Sequence, residues 1–151
     1  MIIKTIKVKK LGLVIAVCAV SALFIFLVVY GVAKAYSDDC ITLDTEELRQ
    51  EFIKDLGWET DSEYTSSKVV KIPVEFDDVY EDYNEIQKQQ GFNLEKYKGK
   101  EVEIYTYLVK NYPNDRENVY LSLIIFDGKL IGGDVSCNEL DGFMQGLKKA
   151  E

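Results

Sequence analysis

The chain contains no histidine among its 151 residues. That removes the commonest zinc ligand, the usual general base near neutral pH, and every Ser-His or Cys-His arrangement. Proline is scarce, with only Pro73 and Pro113, and Trp58 is the single tryptophan. Acidic residues are absent from the first 36 positions, where five lysines fall. The remainder carries 13 basic against 26 acidic residues, a net −13 concealed within a whole-chain charge of −8. Such a surface repels nucleic-acid phosphates and anionic lipid head groups, so nucleic acid is excluded as a partner. Cationic peptides, metal ions or basic protein surfaces remain, beside the plainer reading that the charge confers solubility.

What is present in excess is one uncharged run, LGLVIAVCAVSALFIFLVVY, from Leu11 to Tyr30. As a helix it would cover roughly 30 Å, the thickness of a bilayer's hydrocarbon core. Lys4, Lys7, Lys9 and Lys10 precede it, and Asp38 and Asp39 follow soon after. Lysine is retained on the cytoplasmic side, which predicts an inside N-terminus and an outside C-terminus. The expected layout is a basic head (1–10), a transmembrane helix (11–32), a stalk (33–43) and an extracytoplasmic domain (44–151) at the cell membrane. The alternative is secretion after a signal cut following Ala35, where Ala33-Lys34-Ala35 has the small-x-small form; the run exceeds the usual length of a signal's apolar region.

The domain reads as a helix opened by an Asp44/Glu47 capping box, with Leu43 stapled to Leu48, Phe52, Ile53 and Leu56 inward, and Gly57 as its stop. Two strands, Trp58–Tyr64 and Lys68–Ile72, follow. A second helix is expected over Asp77–Gln90, burying Phe76, Val79, Tyr80, Tyr83 and Ile86 and ending at Gly91. Lys100–Tyr112 alternates, with Val102, Ile104, Thr106 and Leu108 on one face and Tyr105, Tyr107 and Val109 on the other. Asp127-Gly128 is a strong hairpin signal between Val119–Phe126 and Lys129–Val135. Ser136 and Glu139 predict a terminal helix with Leu140, Phe143, Met144 and Leu147 inward. The fold class is therefore α+β: an N-terminal transmembrane helix, then one small domain with an antiparallel sheet of about five strands and two or three helices, in the order α-β-β-α-β-β-β-α.

Candidate sites are few. Cys40 and Cys137 either pair across the domain or stay free. Asp134 and Asp141 flank Cys137, a corner that could use Asp134 as base and Cys137 as nucleophile; the plainer reading has Asp134 satisfying a turn and Cys137 buried. Asp78, Asp82 and Glu85 are weak candidates for a hard cation, against a solvated helix face. Tyr80, Tyr83, Tyr105, Tyr107, Tyr112 and Tyr120 are either cross-strand core pairs or an aromatic platform. Gly132-Gly133 marks a bulge or a close approach to the backbone. Ligand binding is accordingly assigned to Tyr105, Tyr107, Tyr120, Gly132, Gly133 and Asp134, with no catalytic set and no cofactor.

The stretches FIKDLGW, VYEDYNEIQKQQGFNLEKYKGK, YTYLVKNYP and IGGDVSCNELDGFMQGL occur in an order that resembles the family of domain of unknown function 4830. The resemblance covers roughly Leu48 to Leu147. It implies a short Gram-positive bacterial protein with an N-terminal membrane segment and this domain outside, and it brings no catalytic residues. The expected role is a non-catalytic binding or interaction module at the cell envelope, whose partners are the membrane, through its anchor, and an envelope protein, peptide or wall component. The alternatives are a small extracytoplasmic enzyme using carboxylates or Cys137, and an accessory subunit of an envelope complex.

Overall fold

The computed structural model describes residues 41–149, which form one compact unit beginning at Ile41. The predicted membrane run, the basic head and Cys40 lie outside the described residues. Among the described residues no helix is long and apolar enough to cross a membrane.

Five strands form an antiparallel meander in chain order: β1 (Ser66–Lys71), β2 (Glu101–Leu108), β3 (Val119–Phe126), β4 (Lys129–Cys137) and β5 (Phe143–Gln145). Helix α1 (Glu46–Asp55) and helix α2 (Asp78–Gln89) complete the α+β unit. The order is therefore α-β-α-β-β-β-β, which differs from the sequence expectation at two places.

The first is Trp58–Tyr64, expected as a strand and present only as an isolated bridge from Thr60 to Val109. Asp61-Ser62-Glu63 supplies no apolar alternation to pay for pairing. Asn111 instead clamps the segment, donating to the Gly57 carbonyl at 2.9 Å and accepting from the Glu59 N–H at 3.0 Å. The second is the terminal helix, replaced by a turn and β5. Strand β4 runs on to Cys137, which pairs with Val119, so Ser136 is inside a strand and cannot cap anything. Gly142 and Gly146 each weaken a helix by ~1 kcal/mol against alanine. Leu140 is fully exposed, while Leu147 is buried on the sheet.

Helix starts and stops follow local chemistry. The cap of α1 is Thr45, one residue beyond the predicted Asp44, and its hydroxyl accepts from the Leu48 N–H at 3.4 Å. Asp77 caps α2 as expected, accepting from Tyr80 N–H at 2.8 Å. Both helices end on glycines in the left-handed region, Gly57 at φ 84° and Gly91 at φ 89°. Ile41–Leu43, read as the end of the stalk, belong to the folded unit: Thr42 bridges Lys129 and Leu43 is buried.

Alternation along the strands divides the core in two. One sheet face packs Tyr107, Val109, Leu121, Leu123, Ile125 and Val135 against Ile53 of α1, Trp58 and Leu147. The other packs Val102, Ile124 and Ile131 against Ile72, Leu94 and the half-buried Tyr80 and Tyr83 of α2. The inward side of α2 is more polar than predicted. Asn84 and Gln87 are its buried residues and Val79 is 78% exposed.

Asn84 accepts from the Leu94 N–H at 2.8 Å, and Gln87 has a task at the sheet edge that it shares with Gln90. The edge of β4 at Gly133 lies beyond the short pairing with β5, which covers only Val135–Cys137. Gln87 Oε1 accepts from the Gly133 N–H at 2.8 Å, and Gln90 Nε2 donates to the Gly133 carbonyl at 3.0 Å. Gln90 Oε1 also accepts from the Leu147 N–H at 2.7 Å. Two side chains of one helix thus replace a missing strand, which covers an otherwise open edge and locks α2 in place.

Candidate functional site

With α2 fixed at the β4 edge, its N-terminal half stands over the second sheet face without filling it. A cleft of about 420 Å³ remains between them. The sheet register shows what lines it. Ser66 pairs with Thr106, Thr106 with Ser122, and Ser122 with Asp134, so four polar side chains cross the sheet in one row. The hydroxyls of Thr106 and Ser122 are 3.4 Å apart. The adjacent row, Lys68–Ile104–Ile124–Gly132, is largely apolar, and Val70, Ile72 and Val102 extend that wall. Tyr80 and Tyr83 of α2 and Met144 of β5 close the remaining sides.

Asp134 sits at the inner end of the polar row and is only 5% exposed. The Tyr83 hydroxyl donates to its Oδ1 at 2.8 Å. Burial raises the carboxyl's proton affinity above the ordinary range, opposed by hydrogen bonds from Tyr83 and Ser136 and by the charge of Lys68. The same burial, with the Asp134 charge beside it, pushes the Tyr83 phenol far up, so Tyr83 remains a donor throughout the physiological range. Lys68 is exposed at the β1 end of the cleft and forms no ion pair with Asp134. The cleft is therefore bipolar, with a buried carboxyl inside and a lysine at its mouth.

The predicted site residues separate. Asp134 is at the centre of the cleft. Tyr120 shares the cleft's sheet face, opposite Ser136, but lies beyond its lining. Tyr105 and Tyr107 face the other way. The Tyr107 hydroxyl donates to Glu46 Oε2 at 3.1 Å and accepts from Arg49 Nε at 3.1 Å, while the Arg49 guanidinium stacks 3.9 Å from the Tyr105 ring centroid. Arg49 also donates to the Leu43 carbonyl at 3.0 Å, so this cluster, with Tyr107 buried and Tyr105 half-buried, fastens α1 to the sheet. Tyr112 is likewise structural, stacked between Trp58 and Phe143.

Gly132 and Gly133 mark a close approach, as read from the sequence, but by the protein itself. A Cβ on Gly132 would lie 2.9 Å from Gln87 Oε1, and one on Gly133 would lie 2.5 Å from the Ser122 carbonyl oxygen. The sheet register shifts beside them, between Ile124 and Ile125.

Cys137 is free, buried and on the α1 face, its Sγ 3.9 Å from the Glu117 carbonyl oxygen. Residues 134 and 137 are an odd number apart in one strand, so their side chains leave opposite faces. The pairing of Asp134 as base with Cys137 as nucleophile is thereby overturned. Asp141 does not line the cleft and contacts Arg116 at 3.4 Å. The cation candidates do not converge either. Glu85 pairs with Lys88 at 2.9 Å, and among the described residues no group of three or more Cys, Asp or Glu is arranged to hold a metal.

Sequence reasoning named Tyr83 only among the platform tyrosines and left it out of the ligand-binding set, and it missed Ser122 and Lys68. The signal for Ser122 was present: it is the one polar residue in the run Leu121–Phe126.

The family model described as Domain of unknown function (DUF4830) matches residues 52–135. The chain belongs to that family. The matched span runs from α1 into β4 and contains both charged ends of the cleft, Lys68 and Asp134, along with Tyr83. No curated protein and no solved structure matches the chain.

Proposed function

We propose that this domain is a non-catalytic binding module whose ligand occupies the cleft between α2 and the sheet, and that the uncharged Leu11–Tyr30 run tethers it at the outer face of a membrane. The observation that carries the binding reading is Asp134, a nearly buried carboxyl held by Tyr83 at the inner end of a cleft with one apolar wall and one row of hydroxyls. The volume, about 420 Å³, falls in the range of small-ligand sites, which combine apolar walls with a few fixed polar groups. A purely structural carboxyl would be surrounded by packed side chains; this one is reached along a row of hydroxyls that a ligand can use. Cys137 lies behind the sheet and cannot act in this cleft, which favours binding over the alternative that uses its thiol there.

Isoleucine-methyl NMR on the full chain tests the site. Ile72, Ile104 and Ile124 line the cleft, whereas Ile53 and Ile125 belong to the opposite core and serve as controls. A library of neutral, anionic, cationic and zwitterionic compounds should contain members that shift the first three methyls and not the other two. A library that moves none of the cleft methyls would sink the reading. The tether is tested separately by protease added to intact cells, which should remove the domain; a mature chain starting at Tyr36 would show secretion instead.

A further inference from the structure

We propose that the ligand of this cleft is a short peptide in its zwitterionic form, its ammonium set against Asp134 and its carboxylate against Lys68. The inference rests on the binding reading above and adds the chemical class.

Three observations lead to it. First, Asp134 is 5% exposed and its partners, Tyr83 and Ser136, are neutral. A carboxylate removed from water without an ion-paired cation is poorly compensated, and an arriving ammonium would supply what burial removes. Tyr83 holds one oxygen at 2.8 Å, which orients the carboxyl. The edge-to-face pair of Tyr80 and Tyr83, centroids 6.1 Å apart, adds aromatic surface at that end, which suits a cation.

Second, the mouth carries the opposite sign. Lys68 and Lys71 stand on β1 and line the same cleft. The rest of the domain is strongly acidic, so lysines at this rim give an anionic group a local site that the overall field would not provide.

Third, the two charges are set apart on the sheet. β1 and β4 are separated by three inter-strand steps of about 4.8 Å, roughly 14 Å in all. Lys68 and Asp134 stand at the two ends of that span and form no ion pair. A ligand that carries its two charges at opposite ends can bridge them, and a short peptide places further polar groups along the path between. The Thr106 and Ser122 hydroxyls between the ends can bond its peptide groups, while Ile104 and Ile124 accept small apolar side chains. A peptide added as a sixth strand outside β1 would lie one step further, roughly 19 Å from β4, too far for a side chain to reach Asp134.

The test uses the isoleucine-methyl spectrum of the full chain with tri-alanine, N-acetyl-tri-alanine, tri-alanine amide and sucrose as probes. Tri-alanine should shift Ile104 and Ile124, and capping either end should weaken binding at least about tenfold, the scale of losing one hydrogen bond to a charged group. Asp134→Asn should erase the difference between tri-alanine and its N-acetyl form, and Lys68→Met the difference between tri-alanine and its amide. Unchanged Ile53 and Ile125 methyls report that each variant is folded, and the capping comparison needs no variant. If a capped peptide or sucrose binds as tightly as tri-alanine, the peptide assignment is overturned while the cleft remains a binding site. If neither these probes nor the wider library shifts the cleft methyls, both readings fall.

Discussion

Gln90 and Gln87 hold α2 against the β4 edge, and replacing each with methionine should give opposite results from those that burial alone suggests. Methionine keeps the volume and flexibility of glutamine and removes its amide. In Gln90→Met the Gly133 carbonyl and the Leu147 N–H both lose their partners, and both residues are buried. A buried backbone group left unpaired costs about 1–3 kcal/mol. Gln90 is only half-buried, so water can reach part of the gap, and the expected loss is about 2–4 kcal/mol, a large share of the roughly 5–15 kcal/mol that holds a domain of this size folded. Gln87 is fully buried, yet its Nε2 has no hydrogen-bond partner. Gln87→Met orphans the Gly133 N–H but also removes that unsatisfied donor, so the two nearly offset and the net change should stay within about 1 kcal/mol.

Guanidinium unfolding of the full chain, followed by fluorescence, measures both. Trp58 is the only tryptophan, and its indole N–H donates to the Leu147 carbonyl at 2.7 Å, so the signal reports the same tail that Gln90 pins. Equal slopes with a lower midpoint for Gln90→Met would show lost stability rather than a changed denatured state. If Gln87→Met proves the costlier of the two, packing decides at this edge and the hydrogen-bond reasoning is refuted.

Asp134 also predicts a pH dependence. Burial raises its proton affinity in the folded chain, so between the unfolded and folded pKa values the native state holds more protons than the unfolded one. Stability therefore falls as pH rises through that window, with the penalty absent below it and complete above. Asp134→Asn should match the wild type at the acid end and exceed it above the window; parallel stability curves would remove the argument. Gly142→Ala places a Cβ 2.2 Å from the Cys137 carbonyl oxygen, a backbone atom that cannot swing aside, and should cost about 1–3 kcal/mol by chemical denaturation. Val79→Ala should lie within about 0.5 kcal/mol of wild type because Val79 is 78% exposed, whereas Leu121→Ala, at a fully buried site, should cost about 2–5 kcal/mol.

Much of the fold was legible because it is written locally. Asp77 and Gly91 bracket α2 as expected, Asp127-Gly128 turns β3 into β4, and the alternation of Val102 through Val109 assigns β2's two faces correctly. Val79 was misread because a valine at helical spacing looks like core, while the decisive inward residues, Asn84 and Gln87, look like surface. Gln87 is buried against an unpaired strand edge that exists only after the sheet forms. Asn84 is buried against the following loop, where it accepts from the Leu94 N–H at 2.8 Å, so no local pattern reveals either. Tyr107 was misread for a related reason: its hydroxyl is satisfied by Glu46 and Arg49, 61 and 58 positions away.

The site itself turns on a single parity. Read with the strand ending at Val135, Asp134 and Cys137 appear as neighbours around a turn, and a base–nucleophile pair is conceivable. Carried on to Cys137 by its pairing with Val119, the strand sends the thiol into the α1 core and leaves the carboxyl facing α2. The same alternation places Ser122 and Thr106 beside Asp134 and turns the polar break in Leu121–Phe126 into part of a row. Two residues of strand length therefore separate a reactive corner from a binding cleft, and Gly142, whose lack of a side chain lets the turn fold back under the Cys137 carbonyl, allows the chain to return as β5 along that extension. A substitution that shortened β4 would be expected to disturb the cleft from behind, without touching any residue that lines it.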